Sequence, residues 1–333
     1  MKIGIELGNE LFAGQPMGPR IDALLREVAE AGDLGFDCAH VGQHYLSSPM
    51  QTIQPLPLIA RLAAEAGEMA LGTGILLLPL LHPVDVAEQV ATLDAICGGR
   101  FIFGVGLGYE EEEFRAFGLE RRDRRGRFEE SLAIIKRLWT EDRVDFQGEH
   151  FSLTGVVPTA RPVQKPYPPV WIAANNHPAV RRAAQSGDVW YANPHAMYST
   201  LAHQMEIYQE ALGESLVPVA HEVAVMRDGF VAESRAAAMG AVRPSIEKRY
   251  QVYREQGQDE ALPPGDRFDK PFEELAKDRF IIGDPDDWIA EIKRYEALGF
   301  TYMVVNYHTL DVSDEDALAC LRMLGREVLP YVR

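Results

Sequence analysis

Met69-Ala70-Leu71-Gly72-Thr73-Gly74-Ile75-Leu76-Leu77-Leu78-Pro79-Leu80-Leu81-His82-Pro83 is the stretch whose reading decides the fold. Leu71 to Leu78 is almost wholly apolar, the pattern of a strand covered on both faces in a parallel sheet. His82-Pro83 opens a helix, because proline in a first turn forgoes only an N–H that has no partner there. Val86, Ala87, Val90, Leu93 and Cys97 then recur at helical spacing and form one apolar face. Gly98-Gly99 end the helix, and Phe101 to Val105 is a second buried strand. Two parallel strands joined by a crossover helix make a βαβ unit. Ligands of such folds bind beyond the carboxyl ends of the strands, here Leu76 to Leu80 and Gly106 to Tyr109.

The same alternation runs outward in both directions. Towards the N-terminus, Asp37 to Val41 and Lys2 to Leu7 read as strands, with a helix face at Ile21, Leu24, Leu25, Val28 and Ala31 between them. Asn9 to Pro19 and Gln43 to Pro55 read as loops. Towards the C-terminus, Phe128 to Trp139 is helical and Val144 to Leu153 is a hairpin turning at Gln147-Gly148. Strands follow at Val170 to Ala173, Val189 to Ala192, Glu222 to Met226 and Tyr302 to Asn306, with helices between them. The phrase Asp33-Leu34-Gly35-Phe36-Asp37 returns as Ala297-Leu298-Gly299-Phe300-Thr301, each time helix, glycine stop, strand. About eight βα repeats over more than 300 residues predict one α/β domain across 1–333, a (β/α)8 TIM barrel with insertions. A doubly wound sheet is the alternative. Gln256 to Asp269 is polar and carries Pro263-Pro264-Gly265, so 256–283 is expected to be a lid or insertion.

The net charge of −17 excludes a nucleic-acid binder, which needs a basic face, and argues against docking on an anionic membrane. Met1 to Glu6 runs straight into a strand with no basic and apolar leader, so a cytoplasmic protein is expected. Cys38, Cys97 and Cys320 are odd in number and far apart, and are expected to be reduced core residues. The nine histidines show no metal-ligand spacing, so no metal is expected.

Gly104-Val105-Gly106-Leu107-Gly108 has the wrong spacing and the wrong place in strand order for a dinucleotide fingerprint. Its better reading is a backbone left bare for a flat ligand. His44 follows the second strand, where barrels carry their chemistry. One of Glu110, Glu111, Glu112 and Glu113 is expected to face the site, although a run of acids also suits a solvated helix start. Arg121, Arg122, Arg124, Arg125 and Arg127 read first as a solvated segment paired with acids. Asn175-Asn176-His177-Pro178 ends a strand and starts a helix, which suits an anion or an ordinary Asn cap. Asn193 ends the next strand in the same sense.

Three segments together resemble the bacterial luciferase-like monooxygenase family: Leu71 to Pro83, Leu93 to Gly108, and Glu113-Phe114-Arg115-Ala116-Phe117-Gly118. Arg161 to Ala173 and Phe280-Ile281-Ile282-Gly283-Asp284-Pro285 extend the resemblance over most of the chain, in order. It implies a barrel that binds a flavin or deazaflavin at its carboxyl end, with a cis peptide at Gly74–Ile75. The ring seat would be drawn from Gly74, Ile75, Leu76, Gly106 and Tyr109, with His44 beside the ring for oxygen chemistry or proton transfer. Where luciferase has a cysteine and a phosphate-binding arginine, this chain has Gly106 and Leu107, and the family's carboxylate before the histidine is Gln43. The phosphate then falls to Asn175, Asn176 and His177, with Asn193 lining the same mouth. The expected function is a monooxygenase using reduced FMN from a separate flavin reductase, oxygen and a small organic substrate, assembled as a homodimer. A coenzyme F-420 oxidoreductase and a non-catalytic flavin-binding protein are the alternatives.

Overall fold

The computed structural model describes residues 1–213, 222–260, 262–309 and 311–333. Eight parallel strands close on themselves: β1 (Lys2–Leu7), β2 (Cys38–Val41), β3 (Ala70–Thr73), β4 (Phe101–Gly106), β5 (Val170–Ala173), β6 (Val189–Ala192), β7 (Glu222–Val231) and β8 (Tyr302–Asn306). Each strand pairs with the next in chain order, and β8 returns to β1 with Ile3 opposite Met303. Closure, with β4 also paired to β5 through Val105 and Ile172, makes this a barrel and not an open doubly wound sheet. Side chains alternate along each strand. Cys38, Ile102, Trp171, Val189, Tyr191, Ala224, Tyr302 and Val304 form the cluster that fills the barrel. Their neighbours in sequence pack outward against the helices. Cys38, Cys97 and Cys320 are buried and unpaired. Among the described residues, no helix is long and apolar enough to cross a membrane.

The structure departs from the sequence reading in three places. The apolar run Leu71 to Leu78 is not one strand: β3 ends at Thr73, Gly74–Ile75 is cis, and Leu76–Leu77 resumes the pairing with β4. Glu10–Phe12 and Met50–Thr52, inside the two stretches expected to be loops, pair antiparallel as a small ribbon over the N-terminal side of the mouth. Three-residue strands are too short to show a period, so only their partner reveals them. Finally, β7 runs on to Val231, and its far half pairs with a strand at Ile281–Gly283.

That last pairing anchors the excursion 256–283, in which Ala261 lies outside the described residues. Arg279, fully buried, donates Nε to His195 O (2.8 Å), Nη1 to Leu275 O (2.9 Å) and Nη2 to Asp266 O (2.6 Å). A guanidinium has five donors and must spend them on acceptors when buried. Here they tie the excursion to the carboxyl end of β6.

Candidate active site

At the carboxyl end of the barrel, Gly42, Gly74, Ile75, Ala173, Asn193, Met226 and Asn306 are only half-buried, whereas the barrel floor beneath them is buried. The carboxyl end of the barrel is thus partly open at these positions. β3 and β4 approach so closely at Gly104 that a Cβ there would run into Thr73 O. At Gly106 a Cβ would stand 2.6 Å from Ile75 Cδ1, so the kinked Ile75 lies over bare backbone. Thus Gly74, Ile75 and Gly106 meet in one apolar seat, while Leu76 is fully buried behind it.

His44 stands at one side of this seat, just past β2. Its Nδ1 is 3.1 Å from Glu113 Oε1, and the same oxygen accepts the Tyr45 N–H at 2.8 Å. Glu113 projects from the short helix Glu111–Ala116 and is 2% exposed. Burial works against a charged His44 ring. The hydrogen bond and charge of Glu113, with Glu10 and Glu110 behind it, outweigh burial and raise its pKa above the usual histidine value. The His44 ring meets Tyr109 edge-on at 5.7 Å, and Tyr109 OH accepts from Gln258 Nε2 at 2.6 Å. Gln258 therefore ties the excursion to the loop that follows β4. Gln43 takes no part in this pair: its Oε1 accepts from Leu77 N–H and its Nε2 donates to Tyr45 OH.

Below the seat lie two buried titratable groups. Glu6, on β1, reaches Gly74: a Cβ there would stand 2.5 Å from Glu6 Oε2. Burial, then the charge of Glu10, pushes its pKa well above the carboxylate range, and the Gly42 backbone offsets this only in part. His40, opposite Glu6 in register, packs on Trp171 at 4.8 Å, and burial lowers its pKa to about 4. Opposite, Asp228 on β7 accepts from Arg249, Tyr250 and Asn306, each at 2.8 Å.

The segment after β5 lies at the same mouth. Asn176 caps the helix His177–Ser186, accepting Ala179 N–H at 3.1 Å, so its side chain serves as the cap. Asn175 O accepts from Gln204 Nε2, and the exposed His177 ring meets His203 edge-on at 5.2 Å. Asn193 turns back on its own loop, accepting His195 N–H at 3.2 Å. Of the arginine cluster, Arg121, Arg122 and Arg125 pair with Glu111, Glu120 and Glu129. Arg127 donates to Pro79 O, and Arg124 donates to Gly108 O at 2.6 Å. Arg124 lies within electrostatic reach of Arg182, on the helix after β5. Burial first, then Arg121 and Arg182, lowers its pKa.

The structure brings the predicted His44 together with Glu113, which the sequence reading did not single out among four consecutive glutamates. The available signal was its neighbour: Glu113 and Phe114 are the two buried residues of that helix, and an apolar Phe114 marks the inward face. Glu6, Tyr253 and Arg249 gave no signal, since each sits in an ordinary strand or helix pattern.

A family model described as luciferase-like monooxygenase matches residues 1–302. The chain is 26% identical over 353 residues to an F-420-dependent glucose-6-phosphate dehydrogenase of Amycolatopsis mediterranei, covering 98% of this chain and 100% of that one. It is 26% identical over 322 residues to the oxygenase component of flavin-dependent trigonelline monooxygenase of Acinetobacter baylyi, covering 92% and 88%. The crystal structure of monooxygenase RslO1 from Streptomyces bottropensis shares the fold with a TM-score of 0.86 at 23% identity, over 100% of both chains.

Proposed function

The chain belongs to the luciferase-like monooxygenase family, a family of oxidoreductases, and on that premise we propose a flavin-dependent monooxygenase acting on a small organic substrate. The observation that carries this reading is the His44–Glu113 pair beside the bare seat of Gly74, Ile75 and Gly106. A Cβ on Gly74 or Gly106 would collide with Glu6 or Ile75, so these glycines let Ile75 pack close on the backbone, where its half-buried side chain offers an apolar surface to a flat ring. Bound reduced FMN, supplied by a separate reductase, provides the reduction of oxygen and the transfer of one oxygen atom.

The residues of the chain then have distinct tasks. Ile75, with Leu76 packed behind it, supports one face of the ring, and Tyr109 borders the other side of the mouth. His44 presents its free Nε2 to the reacting atoms and holds or returns a proton there, with Glu113 fixing the ring orientation and favouring the charged form. The helix N-terminus after Asn176, with Asn175, His177 and Asn193 near it, receives the phosphate, and Arg124 and Arg182 supply positive charge on that side. Gln258, bonded to Tyr109, closes the mouth against water. A homodimer is part of the reading.

Hydride transfer with coenzyme F-420 is the second reading, favoured by full-length likeness to the glucose-6-phosphate dehydrogenase. The acidic tail of that cofactor suits this mouth less well, because Glu6, Glu10, Glu110 and Glu113 surround His44 and its neighbours. Titration of the purified chain with FMN and with F-420, monitored by fluorescence, separates the two. FMN is expected to bind, and its reduced form to drive oxygen consumption. Tight binding of F-420 without FMN binding overturns the first reading.

A further inference from the structure

Leu77 N–H, just past the kink at Gly74–Ile75, donates to Gln43 Oε1 at 2.8 Å. Gln43 Nε2 donates to Gln54 Oε1 at 3.1 Å, and Gln54 Nε2 donates to His44 O at 2.9 Å. Both ends of this chain are backbone groups of fixed polarity: an N–H only donates and a C=O only accepts. The orientation of both amides follows, and the bonds run one way, from the backbone of the seat to the backbone of His44. Gln43 is 5% exposed, and its Nε2 also donates to Tyr45 OH at 2.8 Å, so both its polar atoms are engaged.

The far end of the chain meets the acid–base pair. The peptide unit between His44 and Tyr45 is held on both sides, its C=O by Gln54 and its N–H by Glu113 Oε1 at 2.8 Å. The same Glu113 oxygen faces the His44 ring, with Nδ1 3.1 Å away. Because that oxygen already accepts the Tyr45 N–H, Nδ1 carries the proton and Nε2 is bare in the neutral ring. Gln54 thus fixes the backbone from which the ring reaches Glu113.

Closing this loop is a separate task, carried by another residue. Asn9 Nδ2 donates to Gly42 O at 2.9 Å and to Ile53 O at 2.7 Å, and Asn9 O accepts the Ile53 N–H at 2.9 Å. The loop 42–53 is therefore tied at its foot without the two glutamines. Their chain adds direction: an ionised carboxylate at position 43 would accept from Leu77 but could not donate to Gln54.

We infer that Gln43 and Gln54 are positioning residues, whose one-way chain couples the ring seat to His44 and holds the histidine in the tautomer with a bare Nε2. This rests on the reading of His44 as the proton-transfer group. A reacting group misplaced by about 1 Å can lose about 100-fold in rate, so a rigid link from seat to base bears directly on the chemistry.

The test uses the full chain with isotope-labelled histidine, free of FMN, read by ring-nitrogen NMR at a pH above the His44 titration. His44→Ala assigns the signals. The wild type is expected in the Nδ1–H form. In Gln54→Met the ratio of Nδ1–H to Nε2–H is expected to fall about fivefold, the worth of roughly one hydrogen bond. Gln43→Met is expected to move the ratio in the same direction but by less, because Gln54 still reaches His44 O. Gln51→Met is the control: Gln51 lies in the same loop, donates to Phe12 O and Gln15 O outside the chain, and is expected to leave the ratio unchanged. A Gln54→Met spectrum that overlays the wild type overturns the inference. So does a Gln51→Met shift as large as that of Gln54→Met, or a folded Gln43→Met in which His44 is unmoved. If the buried Gln43→Met fails to fold, the other two variants decide. The FMN titration is read separately: a wild type that binds no FMN loses the flavin reading, and the tautomer result stands.

Discussion

His44 Nδ1 lies 3.1 Å from Glu113 Oε1, a contact between residues 69 positions apart in the chain. The Tyr45 N–H donates to the same oxygen, so the carboxylate is held from two sides. A histidine whose Nδ1 side faces a buried carboxylate is oriented, and its other nitrogen is left for chemistry.

Removing the charge from that pair while keeping its shape should change how His44 titrates. In Glu113→Gln the His44 pKa, raised by Glu113 in the wild type, is expected to fall towards its ordinary value. NMR titration of the His44 ring in the variant checks this directly, and the pH dependence of kcat/KM should shift in the same direction. His44→Ala is expected to lower kcat/KM by about 10²–10⁴-fold, the range for loss of a proton-transfer group. A Glu113→Gln titration curve that overlays the wild type would remove Glu113 from its positioning role.

Two glycines on one strand should behave differently. At Gly104 a new Cβ meets the backbone oxygen of Thr73, which has nowhere to go. Gly104→Ala is therefore expected to destabilise the fold by about 3 kcal/mol or more, read by chemical denaturation. At Gly106 the nearest atom is the far end of the Ile75 side chain, which is flexible. Gly106→Ala should fold, but weaken FMN binding by roughly tenfold, because the methyl group displaces the Ile75 side chain that forms the seat. Equal stability losses in both variants would mean that Gly106 serves the strand and not the ring.

Acid should loosen the barrel before it reaches the ordinary carboxylate range. His40 is fully buried, and its pKa is lowered from 6.5 to about 4. Its neutral form is favoured in the folded state, so its contribution is present above about pH 6.5. As pH falls from 6.5 to 4 the unfolded chain takes up the proton first, and stability drops by about 3 kcal/mol from this group. His195, lowered to about 3 by burial and then by Arg279, Arg249 and Arg227, acts in the same sense. Denaturation midpoints measured across that window should fall steadily in the wild type and less steeply in His40→Asn. Parallel curves would show that His40 is not a main source of the acid sensitivity.

Much of this protein is determined by local sequence. Apolar runs at Leu71 and Phe101, glycine stops at Gly35 and Gly299, and the spacing between them are enough for repeated βα units, while closure of β8 on β1 decided the barrel over an open sheet. The bare Gly106 and the position of His44 past a strand end are also readable, because each is a property of a short segment, whereas the cis bond at Gly74–Ile75 was expected only from the family resemblance. What only the tertiary structure decided is which groups meet. Glu113 is one of four consecutive glutamates, and nothing in that run says which one faces inward; barrel closure does, by bringing the end of β2 beside the loop after β4. Glu6, Glu10 and Glu110 each look like an ordinary acid on a strand, a ribbon or a helix start. Glu6 and Glu110 come to share a burial without donors, with Glu10 beside them, when the ends of β1 and β4 are drawn around one mouth. Periodicity is a property of neighbours in sequence, whereas an electrostatic field is a sum over neighbours in space.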